Sequence, residues 1–103
     1  MKLVNDSPSS RDFEPARFER YEKLVELCKK VATISHGALN TSPENIYSDM
    51  AYIKVAFYDL IVTNRDDSLK TLAEIADTTD FMMFDRGNGN MITMTVAVKR
   101  HDD

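Results

Sequence analysis

Cys28 and His36 are the residue types from which a thiol–imidazole nucleophile is built, and eight positions separate them. Such a pair needs the base within hydrogen-bond reach of the sulfur. A helix and its end, the reading of the residues between them, hold the two groups too far apart. Cys28 falls inside an apolar stripe and reads as a packed structural thiol. His36 reads as a helix-end residue, where a positive imidazole is favoured, and His101 lies in the terminal tail. One Cys and two His provide no zinc-site spacing. Asp77, Asp80 and Asp85 supply hard oxygen ligands, but the alternating acids and closing Glu of a calcium loop are missing. The Gly-Asn-Gly at positions 87–89 joins two strands and opens no helix, so it reads as a turn and not as a phosphate cradle. The sequence assigns no catalytic residue, no metal site and no cofactor, and the chain reads as non-enzymatic.

Charge offers more than reactivity. Between Asp66 and Asp85 stand Asp66, Asp67, Glu74, Asp77, Asp80 and Asp85 against Lys70 and no other lysine or arginine. Complementary charge raises association rate and specificity, so this stretch reads as a docking surface for a protein with a basic surface. The residues assigned to partner binding are Asp67, Glu74, Asp77, Asp80, Arg86 and Asn88. The functional expectation is a small acidic regulator or inhibitor of the kind phages and mobile elements encode. The alternative is a DNA-binding regulator whose hairpin or N-terminal arm meets phosphate through Lys99, Arg100, Arg86 and Arg11. The formal charge of −4 argues against broad attraction to nucleic acid or anionic lipid. A single cysteine excludes an internal disulfide and fits a reducing compartment. With no signal-like N-terminus and no run of about 20 apolar residues, the reading is a cytoplasmic protein without membrane association.

The elements that must position these residues form one domain, because 103 residues support one core. Residues 1–12, rich in Ser, Asp, Asn and Pro, read as a flexible arm, and 13–103 as a single α+β domain. Three helices are expected on a C-terminal antiparallel hairpin. The first, about 15–36, repeats Phe18, Tyr21, Leu24, Val25, Cys28, Val31 and Ala32 at helical spacing, and Gly37 suits a left-handed cap. The second, about 43–63, rests on Ser42 as N-cap, Pro43 at the first position, and Ile46, Met50, Ile53, Phe57 and Leu60 on one face. A strand over 52–62 is the rival reading, since β-branched and aromatic residues abound there. The third helix, about 67–77, carries Leu69, Leu72, Ala73 and Ala76 as its apolar stripe. Strands at about 80–85 and 91–99 flank the glycine turn, with Ile92, Met94, Val96 and Val98 sharing one face.

Residues 68–84 resemble the helix that follows the recognition helix in repressors of the phage lambda type, through Leu69, Leu72, Ile75 and Ala76. Upstream there is neither a recognisable helix-turn-helix nor the basic residues that contact phosphate, so the resemblance implies no role for any residue here. The hairpin raises a further expectation. Long unguarded strand edges invite pairing, which predicts a homodimer with Phe81, Met83, Ile92, Met94, Val96 and Val98 in or near its shared core.

Overall fold

The computed structural model describes residues 13–35, 37–42, 49–58 and 66–102. The element order is α1 (Pro15–Ser35), β1 (Ala38–Ser42), β2 (Met50–Tyr58), α2 (Asp66–Thr78), β3 (Phe81–Arg86) and β4 (Met91–Lys99). All neighbouring strands are antiparallel, in the order β1-β2-β4-β3. The class is α+β, but the arrangement corrects the sequence expectation. Among the described residues two helices, not three, accompany a four-stranded sheet, not a two-stranded hairpin.

The correction falls on the expected second helix. Its described part, Met50–Tyr58, is a strand paired on both sides. Ile53 and Phe57 fit a helix and a strand equally, being four apart. Ala51 and Val55 decide it, because Ala51, Ile53, Val55 and Phe57 are all buried at alternate positions. Partners on both edges satisfy the ladder bonds of this segment, and β1, for which the sequence shows only five unremarkable residues, is one of those partners. Ser42 lies in β1 rather than at a helix start. Residues 43–48 and 59–65, and the proposed arm at 1–12, lie outside the described residues.

α1 begins at Pro15, whose missing N–H costs nothing at the first helical position, while the Phe18 N–H donates to Glu14 O at 2.9 Å. Its inward stripe buries Tyr21, Leu24, Leu27, Cys28, Val31 and Ala32 against the sheet. At the far end the Gly37 N–H donates to Ala32 O at 2.8 Å, tying the chain beyond the helix back to its last turn. Gly37 is required for room rather than for a left-handed backbone. A Cβ there would stand 1.9 Å from Ala56 O, so the chain passes too close to β2 for any side chain. The left-handed glycine is Gly89 in the β3–β4 turn, with φ of 63°.

α2 packs against α1 with a different face from the one its letters advertise. Ser68, Thr71, Ile75 and Thr78 are the buried residues, and Leu72 is half-buried. Leu69 is 45% exposed, and Ala73 and Ala76 are exposed. The threonines tolerate burial because Thr71 Oγ1 donates to Asp67 O at 2.8 Å and Thr78 Oγ1 to Glu74 O at 2.7 Å, so neither hydroxyl is left unsatisfied. At 100° per residue the exposed stripe Leu69–Ala73–Ala76 is turned roughly 140° from the packed face.

α1 covers one side of the sheet, and α2 packs on α1. On that side Met94, Val96 and Val98 of β4 join Ala51, Ile53, Val55 and Phe57 of β2 in the core. Met94, Val96 and Val98 are therefore buried within the single chain and cannot also line a core shared between two chains. On the helix-free side Ala97 is fully buried as well, flanked in register by Tyr52 and Phe81, whose rings meet edge-on at 6.2 Å.

Candidate functional site

Two surfaces combine exposure with specific chemistry: the outer face of α2 and the free edge made by β3. On α2, Asp66, Asp67, Lys70, Glu74 and Asp77 are all exposed. Asp66 and Asp67 sit in the first turn, where the positive helix end favours them. Asp67 Oδ1 accepts the Ser68 N–H at 2.9 Å. The carboxylates of Asp66, Glu74 and Asp77 have no ion-pair partner among the described residues. The bare Leu69–Ala73–Ala76 stripe runs beside them.

Asp80 belongs to a different structure. It precedes β3, and its carboxylate accepts from Arg17 at 2.7 Å, from Arg20 at 2.9 Å and from the Lys99 N–H at 2.9 Å. Arg17 also reaches Asp102 at 2.7 Å. The bond to Asp102 and the nearby carboxylates raise the Arg17 pKa above its ordinary value, and Arg17 in turn holds Asp102 below the usual carboxylate range. These bonds tie the start of α1, the start of β3 and the C-terminal tail together. Thr79 Oγ1 completes the junction, accepting the Ala97 N–H at 3.1 Å, with its single proton within donating reach of the Phe81 carbonyl oxygen at 2.6 Å and the Ala97 carbonyl oxygen at 2.9 Å. Asp80 is thus already engaged in holding the fold, with a side chain 18% exposed.

Of the residues assigned to partner binding, the structure brings Asp67, Glu74 and Asp77 onto one helix and leaves the others apart. Arg86 ends β3, and Asn88 lies in the turn, where its carbonyl accepts the Met91 N–H at 3.3 Å. The whole length of β3 separates them from Asp80. The phosphate-binding set of the alternative reading is divided too. Arg100 is 3% exposed with its guanidinium 5.3 Å from the Phe13 ring centre, while Arg86 and Lys99 sit at opposite ends of the sheet, across from Ile92 and Met50. Arg11 and His36 lie outside the described residues.

Cys28 is fully buried, and desolvation pushes its pKa up to about 12. Among the described residues no group of three or more His, Cys, Asp or Glu is placed to hold a metal ion, and no helix is long and apolar enough to cross a membrane. The chain matches no protein-family model, no curated protein and no solved structure.

The second surface is one the sequence pointed to through its hairpin but did not resolve. β3 is an edge strand, and Phe81, Met83 and Phe84 are 38%, 47% and 53% exposed. Phe81 and Met83 face the helix-free side. Phe84 faces the helix side, in register with Met94 and beyond the cover that α1 gives the central strands.

Proposed function

We propose that this chain is a non-enzymatic binding module, acting as a homodimer, whose α2 face docks a protein with a basic surface. The observation that carries the reading is the turn of α2. Its inward face is made of Ser68, Thr71, Ile75 and Thr78, which leaves an apolar stripe exposed next to carboxylates that lack ion-pair partners among the described residues. The arginines closest in sequence to α1's start, Arg17 and Arg20, are committed to Asp80 and Asp102 and do not neutralise that face. A mixed apolar and acidic helix face suits a partner whose lysines or arginines surround an apolar patch, with charge governing encounter and the buried stripe governing residence.

The test is retention of a defined basic partner on immobilised protein. Wild type should hold it at low salt and release it as salt rises, and the triple variant Asp66→Asn, Glu74→Gln, Asp77→Asn should fail to hold it. Lys70, in the middle of the face, is the reporter: an amine-reactive crosslinker should join Lys70 to the bound protein. Retention that the triple variant leaves unchanged, or crosslinks that avoid Lys70, would sink the docking assignment.

A further inference from the structure

We propose that α2 is a hinged flap: pinned at Thr79 and Asp80, it swings off α1 at residues 66–71 while the rest of the chain stays folded. The hinge stands on how α2 packs and not on the docking reading, although the docking face rides on it.

The two helices are held by unequal means. α1 buries Tyr21, Leu24, Leu27, Cys28, Val31 and Ala32. α2 buries one apolar side chain, Ile75, with Leu72 half-buried, and the rest of its inward face is Ser68, Thr71 and Thr78. The hydroxyls of both threonines bond to carbonyls of α2 itself and so add no bond across the interface. Ser68 is worse placed. It is fully buried, and its Oγ meets no hydrogen-bond partner among the described residues. Enclosing such a group opposes docking. Among the described elements α2 packs chiefly on α1, so its closed position leans on Ile75 and Leu72. Segments with few buried apolar contacts open at the lowest free energy.

The ends of α2 differ in the same sense. The helices run antiparallel: Asp80, just past the end of α2, holds Arg17 and Arg20 in the first part of α1. Asp67 and Thr71, near the start of α2, stand across from Lys30, Thr33 and Ile34 in the last part of α1. At the Asp80 end the chain is fixed. The Asp80 N–H donates to Ala97 O at 2.9 Å, its carboxylate accepts the Lys99 N–H at 2.9 Å, and Thr79 Oγ1 accepts the Ala97 N–H at 3.1 Å. At the other end the helices leave a cleft of about 490 Å3 between them, whereas a close-packed contact leaves few voids larger than a water molecule. Ser68, with its orphan hydroxyl, belongs to that loose end. A pinned end, an unfilled gap at the other and one buried apolar contact nearer the pin are the parts of a hinge, with residues 78–80 taking up the rotation.

Hydrogen exchange on the native chain is the first arm of the test. A 13-residue helix is marginal once undocked. The amides of residues 70–74 should therefore exchange at least about 100-fold faster than those of residues 24–31, with little dependence on denaturant, while the Asp80 amide stays protected. The second arm reads the loose end through a thiol. Ser68→Cys should be alkylated at a rate almost flat in low denaturant, whereas alkylation of Cys28, fully buried under α1, should rise steeply because it needs global unfolding. Ser68→Ala removes the orphan hydroxyl and should slow exchange in α2 roughly tenfold without changing α1. Exchange of residues 70–74 at the rate of residues 24–31 would overturn the proposal, as would a Ser68→Ala chain that is not slowed. An Asp80 amide that exchanges together with α2 would mean detachment without a hinge and would overturn it too. A chain whose α2 never opens but which retains the basic protein refutes the flap alone. One whose α2 opens but which retains no basic protein refutes the docking reading alone.

Discussion

The sheet ends one row of side chains in two different ways. Leu39, Val55, Met94 and Phe84 lie in register from edge to edge on the helix side. At the β1 edge Leu39 is packed against the core, while at the β3 edge Phe84 is 53% exposed. The next row repeats the contrast on the helix-free side, where Asn40 ends the row at β1 and exposed Met83 ends it at β3. α1 accounts for the difference on the helix side. It contacts β1, β2 and β4, whereas among the described residues β3 has no comparable helix cover. Short, polar edges resist pairing and apolar ones promote it, so the two edges differ in what they are free to do.

Substitutions along the two edges test this contrast. The largest effect is expected at the entrance to β1. Gly37→Ala puts a Cβ into Ala56 O, and a loss of about 3 kcal/mol, the upper end of overpacking costs, should appear as a lower denaturant midpoint. Next, Leu39→Ala should cost about 2 kcal/mol, at the low end for an apolar truncation at a partly buried site. Asp80→Ala should cost a similar amount, about 2 kcal/mol, because it strips the Lys99 N–H and two arginines of their acceptor where β3 begins. If Asp80→Ala were silent, the anchoring of β3 at that end would have to lie in Thr79 alone.

The buried thiol tests the covered side through pH. Cys28 is raised from 9.0 to about 12 by burial, so the folded chain holds its proton where the unfolded chain releases it. Stability from this group is intact below pH 9 and is lost as pH climbs towards about 12. Cys28→Ala should flatten that part of the stability profile, and alkylation of native Cys28 at pH 8 should be slow and track unfolding. The smallest effect belongs to the bare edge: Phe84→Ala should shift the stability of the monomer by no more than about 0.5 kcal/mol, as exposed positions do. A cost at Phe84 equal to that at Leu39 would show that something covers β3, and concentration dependence of that cost would identify a second copy.

The hairpin was legible because its signals are local. Gly87 and Gly89 bracket the turn, and the period-two run from Met91 to Lys99 needs no partner to be recognised. α1 was legible for the same reason, through a stripe kept over the whole helix. Two misreadings share a cause. In Met50–Tyr58, Ile53 and Phe57 satisfied a helical spacing as well as a strand's. In α2, Leu69, Ala73 and Ala76 outranked Thr71 and Thr78 on hydrophobicity, although the threonines can be buried once their hydroxyls bond to their own helix. Among the candidate binding residues, Glu74 and Asp77 were readable as exposed acids, but the engagement of Asp80 by Arg17 and Arg20, some sixty positions away, was not.

By itself the sequence determined the α+β class, the first helix, the glycine turn and the excess of acid around the second helix of the fold, since each follows from composition or from contacts a few residues apart. Only the tertiary structure decided that residues 50–58 are a central strand, which face of α2 is covered, that Asp80 and Arg100 are occupied inside the fold, and that β3 is the last strand of the sheet among the described residues. Those outcomes depend on which distant segments supply ladder bonds, buried surface and opposite charge, and strand pairing and helix docking settle all three together.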